Sequence, residues 1–262
     1  MFDVLLVGCG KMGRALLEGI VAGDVFDVKN IAVLEPVIAL RESISSAHPF
    51  VTLLDHPTDA RVVIVATKPS QVVEVCRALS SIDFEVVISI AAGITVSTIE
   101  AALVKDAAVV RAMPNTPGQI GMGITAIAAG SLCTSEAMLL ARQVLAGLGE
   151  VIEVPEMHLD AVTALSGSGP AYVFYLAEAM IDAGVELGLS VELSGKLVAQ
   201  TFAGSTELLK QRAMDTRALR LEVSSPGGTT IAATNAFDKA GIRAGIVAGI
   251  KASYDRSRSL NP

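Results

Sequence analysis

The chain has 262 residues, which is long enough for one large or two moderate domains with a hydrophobic core. Hydrophobic residues make up 52% of the chain and charged residues 18%, a composition that excludes intrinsic disorder. A formal net charge of −7 disfavours nucleic acid as a partner, because nucleic-acid binding needs a basic surface.

A chain with this many apolar residues is expected to have part of its apolar surface covered by a membrane or by another subunit. The sequence does not favour a membrane. The longest uncharged segments, 112–135 and 161–177, are interrupted by Pro, Gly, Asn and Ser, so neither is typical of a spanning helix. A large oligomeric interface is the remaining expectation.

The N-terminus has no basic region before its apolar run, and the three cysteines lack a CxxC spacing. We therefore expect a cytoplasmic protein with reduced cysteines, no secretory signal and no metal site.

The order of predicted elements changes about three fifths of the way along the chain. Up to residue 154, short β-rich runs alternate with segments of helical period, which is the pattern of βαβ units and a parallel sheet. The predicted strands are 3–7, 31–34, 51–53, 62–66, 86–90, 109–112, 125–128 and 151–153. The later predicted elements are helices at 169–187, 192–212, 216–223, 229–240 and 242–260. The predicted fold class is α/β, with a sheet domain over residues 1–154 and an all-helical domain over residues 155–262.

The first predicted strand runs into GCGKMG (residues 8–13), a GxGxxG motif that is followed by a helix-compatible segment. Gly8 permits a tight turn, Gly10 lets the backbone approach a pyrophosphate, and Gly13 lets the helix pack closely on the strand. The helix N-terminus adds free N–H groups and the positive end of the helix dipole. In this context the motif predicts a Rossmann dinucleotide-binding domain rather than a glycine-rich turn of another α/β fold.

Polar side chains follow the next strands. Glu35 ends the second predicted strand, where it either accepts hydrogen bonds from the adenosine ribose or is a solvated strand-end charge. The ribose contact favours NAD, because a carboxylate repels a 2′-phosphate unless a cation such as Arg41 compensates. Two later strands end in ATKP (66–69) and IAAG (90–93), at the edge where open α/β sheets bind ligands. Lys68 there faces the cofactor, faces the substrate or is an ordinary surface lysine.

Three further motifs follow. RAMPNTP (111–117) has two prolines that stiffen a loop where a nicotinamide is expected, and GSGPAY (167–172) is explained by helix initiation alone. SSPGGTT (224–230) joins a Gly-Gly turn to a helix N-terminus with two hydroxyls, an arrangement that suits a carboxylate. Taken by itself, this last motif is better explained by Ser and Thr capping an ordinary helix start.

Together the motifs VGCGKMG, ATKP, RAMPNTP, LSGSGPAY and VSSPGGTTIAA extend over most of the chain. Their order and spacing resemble those of the pyrroline-5-carboxylate reductases. The resemblance implies reduction of 1-pyrroline-5-carboxylate to L-proline by NADPH or NADH, the last step of proline biosynthesis. It also implies a Rossmann domain followed by an all-helical dimerisation and substrate-binding domain, hence a homodimer, and it leaves open whether dimers assemble into a larger ring.

The resemblance also implies roles for individual residues. Ser225, Gly228, Thr229 and Thr230 match the substrate loop, where hydroxyl and N–H groups hold the carboxylate and Thr230 reaches the ring nitrogen as the catalytic residue. Whether Thr230 relays a proton or only orients the ring is left open. Glu35 departs from members that favour NADPH, which present small polar or basic groups there, so coenzyme preference is open too. The residues predicted to bind the cofactor are Gly8, Gly10, Lys11, Met12, Gly13, Glu35, Ala66, Thr67, Lys68, Pro69, Ala91, Gly93, Met113, Pro114 and Asn115.

Two rival interpretations remain at this point. A β-hydroxyacid dehydrogenase shares the glycine motif and a helical second domain and would use Lys196 as its catalytic lysine, but it leaves SSPGGTT unexplained. A cofactor-sensing protein without catalysis is the other rival. An assay with pyrroline-5-carboxylate and NADPH distinguishes the latter from an enzyme.

Overall fold

The computed structural model describes residues 1–212 and 215–259. Its strands are β1 Phe2–Val7, β2 Ile31–Leu34, β3 Thr52–Leu54, β4 Ala60–Val65, β5 Val86–Ser89, β6 Ala108–Met113, β7 Gly123–Ala129 and β8 Gly149–Glu153. They form one eight-stranded sheet, within the described residues, in the order β3-β2-β1-β4-β5-β6-β7-β8. Each of these strands overlaps one predicted from the sequence.

Helices accompany the strands and then replace them. The first group is α1 Lys11–Ala22, α2 Ile38–Ala47, α3 Val72–Leu79, α4 Val96–Leu103, α5 Ser135–Leu145 and α6 Leu159–Val162. The second group is α7 Gly169–Glu186, α8 Val191–Arg212, α9 Thr216–Glu222, α10 Thr229–Lys239 and α11 Ile242–Ser259. The α/β class with a helical second part is confirmed, although the predicted helix end at residue 260 lies outside the described residues.

The central strands are apolar on both faces because helices cover both sides of the sheet. Leu6 and Ile64 pack into one core with α1 and α5, whereas their neighbours Leu5 and Val63 pack into the core on the opposite face with α3 and α4. All four side chains are fully buried. This double burial explains why these strands read as continuous apolar runs instead of alternating polar and apolar residues.

The prediction of a parallel sheet is wrong for the last two strands. β7 pairs with β6 in the antiparallel direction, with Arg111 opposite Ala128, and β8 is parallel to β7. The connection from β6 to β7 contains only the short 3₁₀ turn Thr116–Ile120, whereas a parallel partner needs a longer crossover. The crossover helix α5 lies between β7 and β8, which explains why that pair is parallel.

The described chain divides into two compact units, one covering Met1–Ser168 together with the end of α11 from Ser253, and the other covering Gly169–Ala252. The sequence prediction divides the chain between residues 154 and 155, where the strand pattern ends. The functional division at that point stays a prediction, whereas packing divides the chain after α6.

Packing explains why α6 belongs to the first unit. Leu159 of α6 is fully buried beside Met113 and Ala126 of the sheet. The Ser257 hydroxyl near the end of α11 donates to Asp160 Oδ1 at 2.7 Å, which holds that end to the same unit. A short helix can therefore follow the last strand and still be part of the sheet domain.

The second unit has almost no interior of its own. None of the described residues of α7 is buried, and the described part of α8 buries only Ser194 and Val198. Large apolar side chains of this unit are instead exposed, among them Phe174, Tyr175, Leu176, Leu187, Leu193, Leu197, Phe237 and Ile246. This surface agrees with the oligomeric interface expected from composition. Separately, none of the helices in the described ranges is both long and apolar enough to cross a membrane.

Helix α1 lies against the loop before β8 through a contact between two glycines. A β-carbon on Gly19 would lie 2.9 Å from the Gly147 carbonyl carbon, and one on Gly147 would overlap the Gly19 carbonyl oxygen. Backbone meets backbone here, so no flexible side chain is present that could move aside. The contact sets how far α1 is from the end of the sheet.

We expect Gly147→Ala to destabilise the protein by about 1–3 kcal/mol, because the added methyl group must push α1 away from its loop. Urea unfolding at a fixed protein concentration measures the change. Gly249→Ala in α11 is the control, since no described atom outside its own helix backbone lies within 4 Å of a β-carbon at that position. Equal unfolding free energies for the two variants would contradict the tight contact.

Candidate cofactor and substrate sites

The glycine motif forms a turn that only glycine allows. Gly8 has a φ of +86°, and a β-carbon there would lie 2.9 Å from the Ala66 carbonyl oxygen. A β-carbon on Gly13 would lie 2.6 Å from the Gly8 carbonyl oxygen, so Gly13 lets α1 start directly beside the strand end. At Gly10, by contrast, no described atom lies within 4 Å of the β-carbon position. The first turn of α1 is therefore open at the place where a pyrophosphate would approach.

A cleft of about 740 Å³ lies beside this turn. It is bounded by the loops after β1, β2 and β4, at the carboxyl ends of these strands. Six of the predicted cofactor-binding residues line it: Gly8, Gly10, Glu35, Ala66, Thr67 and Lys68. The size and position suit the adenosine end of a dinucleotide.

Glu35 is hydrogen-bonded to the glycine turn. Its side chain is buried, and its two carboxylate oxygens accept the N–H groups of Cys9 at 2.7 Å and of Val37 at 2.9 Å. The interpretation of Glu35 as a solvated strand-end charge is therefore wrong, since the carboxylate holds the glycine turn to the end of β2. The predicted ribose contact remains a prediction, and the carboxylate lies in the cleft lining where that contact requires it.

Arg41, the predicted partner of a 2′-phosphate, also lines the cleft. Its guanidinium donates to the Leu54 carbonyl at 2.7 Å and forms an ion pair of 3.1 Å with Asp55, whose side chain is mostly exposed. The cation therefore lies beside Glu35, whose main-chain carbonyl it contacts at 3.3 Å, but its charge is already paired with the Asp55 carboxylate.

The thiol of Cys9 lies beneath the glycine turn and has no chemical role in the cleft. Burial, with a smaller contribution from the Glu35 carboxylate, raises the pKa of Cys9 to about 12. At neutral pH the thiol is protonated, so it is a poor nucleophile and behaves as a small apolar side chain.

The loop after β4 brings Thr67 and Lys68 to the cleft. Lys68 is exposed, and Pro69 begins a 3₁₀ turn directly after it. The Thr67 hydroxyl is buried without a hydrogen-bond partner among the described residues. An unpaired buried hydroxyl is costly, so this position favours a site that a ligand or a water molecule completes.

Five further predicted cofactor residues lie after β5 and at the end of β6: Ala91, Gly93, Met113, Pro114 and Asn115. Lys11 and Met12 are the first two residues of α1. Ala91 is buried and Gly93 has a φ of +74°. Asn115 is held in place by its own amide, which donates to the Ser166 carbonyl at 3.2 Å and accepts the Ile124 N–H at 3.0 Å. Asn115 therefore fixes the loop through both ends of its amide, and its predicted contact with the cofactor stays a prediction.

The predicted substrate loop lies in the second unit, at the start of α10. Pro226 and Gly227 occupy the centre of a turn that closes with the Gly228 N–H donating to the Ser225 carbonyl at 2.9 Å, and Gly227 has a φ of +74°. Proline followed by a glycine with positive φ is the pattern of a type II turn. The Ser225 hydroxyl lies so close to Gly228 that a β-carbon at Gly228 would overlap it.

Helix α10 then begins without a side-chain cap. Its N-cap residue is Gly228, and among the described residues no side chain accepts a hydrogen bond from the first turn. The interpretation of Ser and Thr as ordinary caps is therefore wrong. The Gly228 N–H is used by the turn, so Thr229 and Thr230 supply the N–H groups that are left for an anion.

Sequence reasoning gave no role to two residues that the structure joins. Arg111 is 2% exposed and donates to Glu156 at 3.0 Å, although 45 positions separate the two in the chain. An arginine inside an apolar strand was the signal, because a buried guanidinium needs a carboxylate partner. The sequence does not reveal which carboxylate that is.

Two families match parts of the chain. Residues 3–93 match the family described as NADP oxidoreductase, coenzyme F420-dependent, and residues 156–260 match the pyrroline-5-carboxylate reductase dimerisation family. The first range contains the glycine turn and the cleft. The second contains the predicted substrate loop.

Relatives that match over nearly the full length of the chain are also pyrroline-5-carboxylate reductases. A pyrroline-5-carboxylate reductase from Synechocystis sp. is 37% identical over 259 residues, covering 97% of both chains, and one from Mycobacterium tuberculosis is 35% identical, covering 99% of this chain and 97% of the other. Among solved structures, a pyrroline-5-carboxylate reductase from Coxiella burnetii has a TM-score of 0.90 and 31% identity, covering 100% of this chain and 99% of the other. A pyrroline carboxylate reductase from Plasmodium falciparum with NADP bound has a TM-score of 0.87 and 27% identity, covering 100% and 98%. This extent of similarity also removes the β-hydroxyacid dehydrogenase interpretation, and the chain belongs to the pyrroline-5-carboxylate reductase family.

Proposed function

We propose that this protein reduces 1-pyrroline-5-carboxylate to L-proline, the last step of proline biosynthesis, with NADPH or NADH. The observation that carries the proposal is the start of α10, where the Ser225 turn and two threonines surround N–H groups without a side-chain cap. Family membership supports the same reaction. The residues of the cleft fit a dinucleotide, because Gly8 and Gly13 have no space for side chains while the backbone at Gly10 is open.

The protein contributes to hydride transfer mainly by positioning the coenzyme and the substrate. When bound, the reduced nicotinamide supplies the hydride. The glycine turn and the first N–H groups of α1 bind the pyrophosphate, while the loops after β5 and β6 hold the space for the nicotinamide. A distance of roughly 3–3.5 Å between donor and acceptor carbons makes such a transfer efficient.

The substrate is an anion that contains an imine, and the start of α10 has a group for each part. The Thr229 and Thr230 N–H groups and the Ser225 hydroxyl bind the carboxylate, and the Thr230 hydroxyl reaches the ring nitrogen. The imine nitrogen takes its proton from water before or during binding, so no strong general acid is required. Thr230 then orients the iminium or relays that proton.

Replacing Thr230 with Ala tests this assignment. With pyrroline-5-carboxylate and NADPH we expect the wild type to form proline and Thr230→Ala to lose about 10²–10⁴-fold in kcat/KM if the hydroxyl relays a proton, and less if it only orients the ring. Thr230→Ser, which keeps the hydroxyl, is the control. Absence of proline formation by the wild type would overturn the proposed function, whereas unchanged kinetics of Thr230→Ala would remove only Thr230.

A carboxylate contact at Ser225 has a different kinetic signature. Ser225→Ala raises KM for the imine with little change in kcat, because the carboxylate is bound equally in the ground and transition states. Ser224→Ala is the matched control, since the Ser224 hydroxyl donates to the Arg220 carbonyl of its own helix end. A lower kcat at constant KM in Ser225→Ala would exclude this role.

Coenzyme preference depends on the charge of Glu35. Glu35→Gln keeps an acceptor for the Cys9 or Val37 N–H but removes the charge that repels a 2′-phosphate. We expect the ratio of kcat/KM for NADPH to that for NADH to rise about 10-fold, equivalent to about 1.4 kcal/mol. Glu42→Gln, at an exposed glutamate of α2, is the control. Equal ratios in both variants and the wild type would show that Glu35 does not select the coenzyme.

The proposal includes the assembly and the compartment. The exposed apolar helices of the second unit form the interface of a homodimer. Sedimentation, which measures the oligomeric state in solution, tests whether dimers assemble further into a larger ring. The enzyme acts in the cytoplasm, which suits three cysteines that are free in the structure.

A further inference from the structure

Arg111 is a charged side chain in the middle of the sheet. It lies on β6 with only 2% of the residue exposed. Its Nη1 donates to Glu156 Oε1 at 3.0 Å, whereas its Nε and Nη2 are buried without a partner in residues 1–212 and 215–259. An incompletely paired buried guanidinium is costly, and apolar residues of similar volume are often at least as stable. Stability alone therefore does not explain Arg111.

The same carboxylate oxygen accepts a second hydrogen bond. Glu156 Oε1 accepts the N–H of Val96, the first residue of α4, at 2.7 Å. Glu156 itself begins the 3₁₀ turn Glu156–His158, just after the chain leaves the last strand. One oxygen atom therefore connects three segments that are far apart in sequence: β6, the start of α4 and the turn after β8.

Two of these segments lead directly into predicted nicotinamide loops. The residues at 91–93 end shortly before the helix that Val96 begins, and those at 113–115 follow Arg111 within the next few positions. Ser89 and Arg111 are neighbours in the pairing of β5 with β6, so the two loops leave the sheet side by side. The far side of the second loop is held separately, by the amide of Asn115.

We propose that Arg111 and Glu156 are positioning residues that fix the 91–93 and 113–115 loops relative to each other and thereby set the place of the nicotinamide. The link between this pair and hydride transfer rests on the proposed function. A displacement of about 1 Å in such a site costs about 10²-fold in rate, so a pair that does not touch the reacting atoms can still control the rate. Neither Arg111 nor Glu156 lines the cleft beside the glycine turn, so we expect coenzyme affinity to depend little on this pair.

The experiment compares Glu156→Ala and Glu156→Gln with Glu153→Ala, which removes only the exposed ion pair between Glu153 and Arg142. Hydrogen exchange of the coenzyme-free protein is measured first. Glu156→Ala should increase exchange in residues 91–96 and 111–116, whereas Glu153→Ala should leave these segments unchanged. Unaltered exchange in Glu156→Ala would overturn the proposal, and this readout does not depend on the reaction.

Kinetics then separate positioning from general destabilisation. Glu156→Ala should lower kcat about 10–100-fold with less than about a threefold change in the Kd of NADPH, and 4-deuterated NADPH should give a larger isotope effect on kcat because hydride transfer has become slower. Glu156→Gln, which keeps an oxygen for Val96 and Arg111, should recover most of the rate. A lower melting temperature with unchanged kcat and isotope effect would show that the pair is only structural. An inactive wild type with the expected exchange pattern would instead overturn the proposed function and leave the loop pairing intact.

Discussion

The close approach of two backbone segments around Gly8 and Gly13 is the constraint on which the cofactor site depends. A β-carbon on Gly13 would lie 2.6 Å from the Gly8 carbonyl oxygen, so the start of α1 is in direct contact with the end of β1. Glu35 holds the same turn from the neighbouring strand by accepting the Cys9 N–H. The cleft, the open backbone at Gly10 and the position of the α1 N-terminus all follow from this contact. A side chain at Gly13 would push the helix away from the strand end, and one at Gly8 would collide with the Ala66 carbonyl in the loop after β4.

Local signals explain what the sequence could predict. Apolar runs located the eight strands of the described chain, because strands covered on both faces have no polar alternation. The glycine motif and the Ser225–Gly228 turn were also predictable, since glycine at positive φ has few substitutes. The reversed direction of β7 was not predicted from the strand pattern, because direction depends on the length of the connection and on the space left at the sheet edge.

Most of what the sequence did not predict depends on contacts between residues that are far apart in the chain. The sequence identifies Glu35 as an acidic strand end, but only the fold shows that its carboxylate is occupied by two N–H groups. The position of Asn115 at the nicotinamide stays a prediction, and only the fold shows that its amide holds its own loop. Arg111 and Glu156 are separated by 45 positions, so no local pattern joins them. In each case the side chain was chemically recognisable while its partner was not.

The predicted substrate loop lies in a unit with almost no interior of its own. With no buried residue in the described part of α7, this unit cannot bury enough apolar surface alone to offset the entropy lost on ordering its helices. Its folding is therefore expected to be coupled to association with a second copy, so that the two occur as one equilibrium. By mass action, the fraction of chains with an ordered substrate loop would then rise with protomer concentration. The melting temperature would shift with dilution, and so would the specific activity of a freshly diluted sample.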